Sequence, residues 1–241
     1  MESEHEFGLS DDWHSVVNTL ESIIPVYDKT NRYISFGTDV RIRKEGLEAL
    51  RKEIGRDRVS VLDLGCGTGK MSQLFFTDSR NKLDQVILAD PLRPMLKVAR
   101  SRVDTDGLIC VYENLPVRSG IFDAAMAGFS LRDARKLSKA LVEINALLKD
   151  NGKFLIVDLC KPDSKIRSAM MSAYWKLLAP IVAFFAAGKL GFRFGALHTT
   201  YKRLPKNSEI LALMRKAGFE VTISKYYMLG GACFIILTKR I

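Results

Sequence analysis

The residues best placed to do chemistry form one short run, Asp63-Leu-Gly65-Cys-Gly67-Thr-Gly69. It follows an apolar segment, 59–64, and precedes a helix-forming one, 70–76. Alternating glycines let a backbone pass close under a ligand and present amide donors at a helix start. A second acid, Asp90, closes the next apolar segment, 83–89, and Pro91 follows it. A carboxylate at the end of that strand can accept both hydroxyls of a ribose. Turn and acid together describe a nucleoside site; the competing reading is a glycine-rich structural turn. The pyrophosphate-binding G-x-G-x-x-G pattern is excluded, because the third glycine comes one residue early. A P-loop is excluded too: Leu64 stands where its first Gly belongs, and Met71 where Ser or Thr would follow Lys70.

The surrounding pattern predicts the elements that must hold this site. Strands are expected over 59–64, 83–89, 108–112, 122–129 and 154–159, with helices over 92–103 and 134–148. The second helix should end at Lys149-Asp-Asn-Gly152, with Asn or Gly taking the left-handed cap conformation. Alternating strands and helices imply a parallel sheet with right-handed crossovers. A further helix, 209–217, precedes strands 219–227 and 232–239, and Gly230-Gly231 predicts a hairpin that leaves the last strand antiparallel. The fold class is therefore α/β, a Rossmann-like seven-stranded sheet with helices on both faces. The expected division is one domain: an N-terminal helical lid (10–55), a ligand-binding core (56–160), a helical insertion on the substrate side (161–204) and a C-terminal helix and hairpin (205–241). Asp11 or Asp12 is expected to cap the first helix, and Ile42, Leu47, Leu50 and Ile54 to form the buried stripe of a helix over 41–58.

The chain has 241 residues and a net charge of +10. That length suffices for one α/β core. The charge suits an anionic partner or merely solubility. Nucleic acid is not the expected partner, since the basic residues alternate with acids, no Asp/Asn-Pro-Pro-Tyr loop follows the fourth strand and no Pro-Cys pair occurs. The four cysteines, 66, 110, 160 and 233, lack metal spacing, and the three histidines are scattered, so no metal is expected. The acidic start (Glu2, Glu4, Glu6) argues against a secretory signal, and a cytoplasmic protein with reduced thiols is expected. The longest apolar run, 177–187, is shorter than the about 20 residues of a spanning helix.

The order strand, Asp-x-Gly-x-Gly-x-Gly, helix, strand, acid resembles the class I S-adenosylmethionine-dependent methyltransferases. That resemblance implies S-adenosylmethionine as cofactor, with Asp63 toward its amino group, Gly65, Gly67 and Gly69 beneath it and Asp90 on the ribose. Family members place an acid and a small residue ahead of a Leu-Pro. Aligned on Leu115-Pro116, those positions fall on Val111 and Tyr112, so a backbone amide near Tyr112 is expected to reach the adenine, with Glu113 and Ser130 also expected to bind the cofactor.

Further segments resemble the ubiquinone/menaquinone biosynthesis C-methyltransferases (UbiE-type). Tyr27-Asp28-x-x-Asn31-x-x-x-Ser35-Phe36-Gly37 is similar to that family's N-terminal signature, Gly128-Phe-Ser-Leu-Arg132-Asp133 to its Ser-Phe-Gly-Leu-Arg-Asn loop, and 148–162 to its second signature. Asp39 and Arg43 stand near its His and Trp, Asp158 in place of Glu and Cys160 in place of Ser. The implied reaction is methylation of a prenylated quinol at a ring carbon. Arg132 would stabilise the phenolate that activates the carbon, and Asp133 would take a proton or orient Arg132; a surface ion pair is the alternative. Tyr27 and Asn31 would contact the acceptor beside Asp28, or else cap and pack the first helices. Tyr201 and His198 would line the pocket or serve structure. Residues 170–192, with Trp175, Phe184, Phe185, Lys176 and Lys189, would be a lid at the inner membrane face; a buried helix pair or a homodimer interface remains open. Other small aromatic or lipid-like acceptors, and a non-catalytic cofactor-binding role, also stay open.

Overall fold

The computed structural model describes residues 7–55, 58–77 and 85–240. Seven strands form one sheet: β1 (Ser60–Leu64), β2 (Gln85–Asp90), β3 (Gly107–Ile109), β4 (Phe122–Gly128), β5 (Leu148–Leu159), β6 (Phe219–Tyr227) and β7 (Ala232–Lys239). Their spatial order is β3-β2-β1-β4-β5-β7-β6, parallel from β3 through β5, with β7 antiparallel to both its neighbours. The chain runs outward from β1 to β2 and β3, then returns to add β4 on the other side of β1. Helices leave from the carboxyl ends of β1 and β4 in opposite directions, which opens a crevice at this switch point.

Alternation sends successive side chains of a strand to opposite faces. Leu62, Ala125, Phe154, Ile156 and Ile235 pack with α6 (Leu137–Leu147) and α10 (Asn207–Lys216) on one face. Val61, Met126, Leu155 and Ile236 pack with α3 (Thr38–Ile54), α4 (Lys70–Thr77) and α5 (Arg93–Arg102) on the other. A third apolar cluster, including Ile34, Leu159, Trp175, Ala183 and Phe194, covers the carboxyl edge of the sheet. It joins α2 (Tyr27–Ile34) to α7 (Lys165–Ala173), α8 (Ala179–Ala187) and α9 (Ala196–Arg203). The Tyr174 hydroxyl donates to the Ile34 carbonyl and ties this group to α2.

The differences from the sequence expectation have local causes. The helix expected from 134 begins at Leu137, because Ala134 and Arg135 offer their carbonyls to Leu9 and Ser10 of the N-terminal segment. Asp12 sits at the cap position of α1 (Trp13–Ile23) but makes no cap hydrogen bond; its carboxylate pairs with Arg203. β3 stops at Ile109, since Val111 and Asn114 close a tight turn. The expected break at 149–152 lies within β5; Asn151 takes the left-handed conformation there (φ 61°), and Gly152 does not. The 177–187 run belongs to a longer helical stretch, Lys165–Gly195, of 31 residues. That stretch has the length and composition of a spanning helix, contrary to the shorter run, but a π turn at Tyr174–Leu178 interrupts it and Met171, Trp175, Ala179 and Ala183 pack into the third cluster.

The turn after β1 requires glycine. Gly65 lies at φ +56°, and a Cβ there would meet Ser130 Cβ at 2.6 Å and Tyr112 Oη at 2.8 Å. Gly65→Ala is therefore expected to destabilise the protein by more than about 1 kcal/mol, seen as a lower urea midpoint with an unchanged slope.

Candidate active site

The glycine run wraps the carboxyl end of β1. Cys66 N–H donates to the Ala89 carbonyl (3.0 Å) and Gly69 N–H to that of Cys66 (2.8 Å). Asp90 is buried, and both its oxygens are engaged: Oδ2 accepts from Gly67 N–H (2.8 Å), Oδ1 from Leu92 N–H (2.9 Å). Asp90 therefore braces the glycine turn as well as facing the pocket. Burial pushes its carboxyl up to about 6, against the pull of those two amides.

Asp63 lies fully buried beneath the turn. Its Oδ2 accepts the Ser72 hydroxyl (2.5 Å) and amide (3.1 Å), while Oδ1 has no hydrogen-bond partner among the described residues. An orphaned carboxylate oxygen at this depth fits a cationic or N–H donor reaching it directly or through water. Burial raises Asp63 to about 7, opposed by Ser72 and by the charge of Arg43.

Above the turn is a cavity of about 630 Å³. Gly65, Gly67, Asp90, Pro91, Tyr112, Glu113 and Ser130 all border it, which brings this expected set together. A Cβ on Gly67 would meet open space. The hydroxyls of Tyr112 and Ser130 turn away from ligand duty: both lie within 3.0 Å of the Leu64 carbonyl and 2.8 Å from each other. The Glu113 carboxylate accepts Lys136 N–H (2.9 Å). Those groups knit the pocket floor, leaving the Tyr112 ring and backbone amides for a ligand. Trp13, Val16, Val17 and Leu20 of α1, within the segment expected as an N-terminal lid but not singled out there, close the outer wall. The Arg135 guanidinium stacks 3.8 Å from the Trp13 ring centroid. An apolar helical stripe gives no signal that it will face a ligand rather than a core.

A second cavity of about 510 Å³ adjoins the first, and Tyr27 and Phe129 border both. Phe129 holds φ +62°, uncommon for a bulky residue, at this shared wall. Tyr27 stacks on Phe194 (6.4 Å), and burial raises its hydroxyl above the ordinary value. Asn31 borders the second cavity beside Ile34, Ile42, Leu159 and Trp175. Asp28 instead latches α2 to the glycine run, accepting the Thr68 hydroxyl (2.7 Å) and Arg102 (2.5 Å).

Arg132 and Asp133 sit on opposite sides of this wall, Arg132 on the second cavity and Asp133 on the first. Arg132 is buried, and the partner that holds it is Asp158 (2.6 Å); Asp133 stands at 3.8 Å. Burial works against the Arg132 charge, but Asp133 and Asp158 together hold it firmly cationic. Arg132 Nε has no hydrogen-bond partner among the described residues. Burial lifts Asp133 to about 6, against the opposing pull of Arg132. Asp158 was visible in sequence only as a substituted position; the strand pairing that aims it at Arg132 was not. Tyr201 leaves the expected set: it is buried, with its hydroxyl on the Ser168 carbonyl (3.3 Å), and borders a separate cleft with Lys161 and Lys202. His198 pairs with Ser172. No cluster of metal-ligating residues occurs among the described residues.

A sequence profile of the ubiE/COQ5 methyltransferase family matches residues 9–239. The chain belongs to that family. A demethylmenaquinone methyltransferase of Thermus thermophilus is 31% identical over 83% of this chain and 90% of that protein. A ubiquinone/menaquinone biosynthesis C-methyltransferase of Campylobacter jejuni is 25% identical over 93% and 97%. Among solved structures, an S-adenosylmethionine-dependent methyltransferase of Thermotoga maritima has the same fold, with a TM-score of 0.60 at 17% identity, covering 92% of this chain and all of that one. The protein is an S-adenosylmethionine-dependent methyltransferase, and its cofactor is S-adenosylmethionine.

The raised carboxyls at 63 and 90 would give cofactor binding a pH dependence if they take the contacts that the family resemblance implies. An ammonium at Asp63 and hydroxyl donors at Asp90 would favour the ionised forms, so a protonated carboxyl would have to lose its proton on binding. Affinity is expected to fall as pH drops from 8 through about 7 and about 6. Calorimetry in two buffers of different ionisation enthalpy should show proton release near neutrality. An affinity flat between pH 8 and 6 would remove Asp63 from the ammonium contact.

Proposed function

We propose that this methyltransferase methylates a ring carbon of a demethylated prenylquinol. One observation carries the reading: the buried Arg132 guanidinium faces an apolar cavity that shares two walls with the cofactor pocket. When bound, S-adenosylmethionine supplies a methyl group already activated by its cationic sulfur. The chain's task is then to hold the acceptor carbon in line and raise its nucleophilicity. A ring hydroxyl that loses its proton pushes electron density onto the carbon, and a permanent cation stabilises the resulting phenolate. Arg132 is that cation, and Asp133, on the other side of the shared wall with a carboxyl near 6, is ionised at neutral pH and either orients Arg132 or takes the proton through water. Tyr27 and Asn31 flank the ring. The names of the Thermus and Campylobacter relatives support the same acceptor class.

An acceptor with an isoprenoid tail has to be drawn from a bilayer. The surface formed by α7, α8 and the turn after them suits that source. It exposes Ile166, Met170, Leu177, Leu178, Ile181, Phe185 and Phe192 beside the exposed cations Lys165, Arg167, Lys176, Lys189 and Arg193. Apolar anchors rimmed by cations favour the interface of an anionic membrane.

Arg132→Ala is expected to lower kcat by about 10²–10³-fold with demethylmenaquinol while cofactor affinity stays close to that of the parent; equal turnover in both proteins would remove Arg132 from the chemistry. Lipid analysis of a deletion strain tests the acceptor directly, and normal quinones there would refute it. The parent should also sediment with anionic vesicles at low salt, and Phe185→Asp should not, since Phe185 is 82% exposed and carries no core packing. Parent protein that stays in the supernatant but runs as a dimer would assign the face to a second copy.

A further inference from the structure

The acceptor cavity holds a second buried guanidinium, and the chemistry above leaves it without a task. Arg43 lies one turn along α3 from Asp39 and pairs with it at 2.7 Å. Asp39 in turn accepts the Ser35 hydroxyl (2.7 Å), so the carboxylate is fixed from two directions. The Arg43 guanidinium lies across the Phe129 ring, 4.5 Å from its centroid. Arg43 is 6% exposed, borders the same cavity as Arg132, and its Nε has no hydrogen-bond partner among the described residues. A desolvated N–H donor without a partner is costly unless a ligand or water completes it, and the guanidinium that carries it borders a cavity whose polar lining also includes Asn31, Ser35, Thr38, Asp39 and Arg132. The cavity thus presents two cations, each neutralised by its own carboxylate and each with a donor unspent: Arg132 on the loop after β4, Arg43 on α3.

We infer that Arg43 is a specificity-determining residue that donates to a second oxygen of the acceptor, distal to the one held by Arg132. The inference rests on the reading of the cavity as the acceptor site. It assigns to Arg43 the second of the two ring oxygens that a quinol, a 1,4-dihydroxyarene, carries. An acceptor with a single hydroxyl would leave the Arg43 donor unpaired. Asp39 is the positioning residue, since it sets the guanidinium plane against Phe129.

The test pairs removal of the protein group with removal of the ligand group. Binding of 1,4-dihydroxynaphthalene, kept reduced under argon, and of 1-naphthol is measured by calorimetry with S-adenosylhomocysteine present. The parent is expected to prefer the dihydroxy ligand by about 10–100-fold. In Arg43→Met the preference should collapse to near unity, through weaker binding of the dihydroxy ligand alone. Arg43→Lys should restore part of it. Because Arg43→Met strands the Asp39 carboxylate, the double variant Asp39→Asn/Arg43→Met provides a second measurement without an orphan charge. If Arg43 only supported Phe129, both ligands would weaken together and the preference would survive, which overturns the inference. A parent with no preference overturns it as well. A parent that shows the preference yet fails to methylate demethylmenaquinol would refute the acceptor named above and leave the Arg43 assignment standing.

Discussion

Ionisable groups can be buried only if each finds a counter-charge or a donor, and this constraint organises the whole carboxyl edge of the sheet. Asp63, Asp90, Asp158 and Asp39 are all buried there. Asp90 takes two backbone amides, Asp63 takes Ser72, Asp158 takes Arg132 and Asp39 takes Arg43. Each pairing joins elements distant in sequence or locks one side chain into a single orientation. Removing one partner would strand the other, a change of about 3–5 kcal/mol for a buried pair. The site is therefore held by the same interactions that hold the strand ends together.

Some of these pairings leave an atom over. Asp63 Oδ1, Arg132 Nε and Arg43 Nε belong to the buried atoms that lack hydrogen-bond partners among the described residues, as do Arg135 Nε, Trp175 Nε1 and Asn207 Oδ1. Asp63, Asp90 and Asp133 have carboxyls lifted above the ordinary range, burial being the main cause in each. A raised carboxyl favours the folded state in its neutral form, so these groups weaken the ligand-free protein at neutral pH, and the cost fades as pH falls through about 7 and about 6. A ligand that supplied the missing donors and acceptors would relieve that cost. Function is built here out of stability left unclaimed.

The N-terminal helices couple the two pockets. Asp28 grips the glycine run through Thr68 and Arg102, while its neighbour Tyr27 borders both cavities. One helix thus touches the glycine run at one residue and borders both cavities at the next. α1 closes the cofactor pocket from outside, held by Leu9 and Ser10 on the backbone of 134–135.

Short-range signals determined much of this protein. Strand, glycine turn, helix and terminal acid are local patterns, because a turn's conformation depends on its own residues. Hence the glycine turn after β1, the acid that ends β2 and the antiparallel last strand were legible in the chain. The partners of those residues were not. Asp158 reaches Arg132 across 26 positions and Arg102 reaches Asp28 across 74. For Tyr201 the sequence left a pocket role and a structural one open, and its burial among the helices after β5 favours the second. Which charge meets which, and which apolar helix walls a cavity rather than a core, depends on strand order and helix docking. Only the assembled tertiary structure brings those surfaces together, because burial and pairing energies act between segments that the sequence keeps far apart.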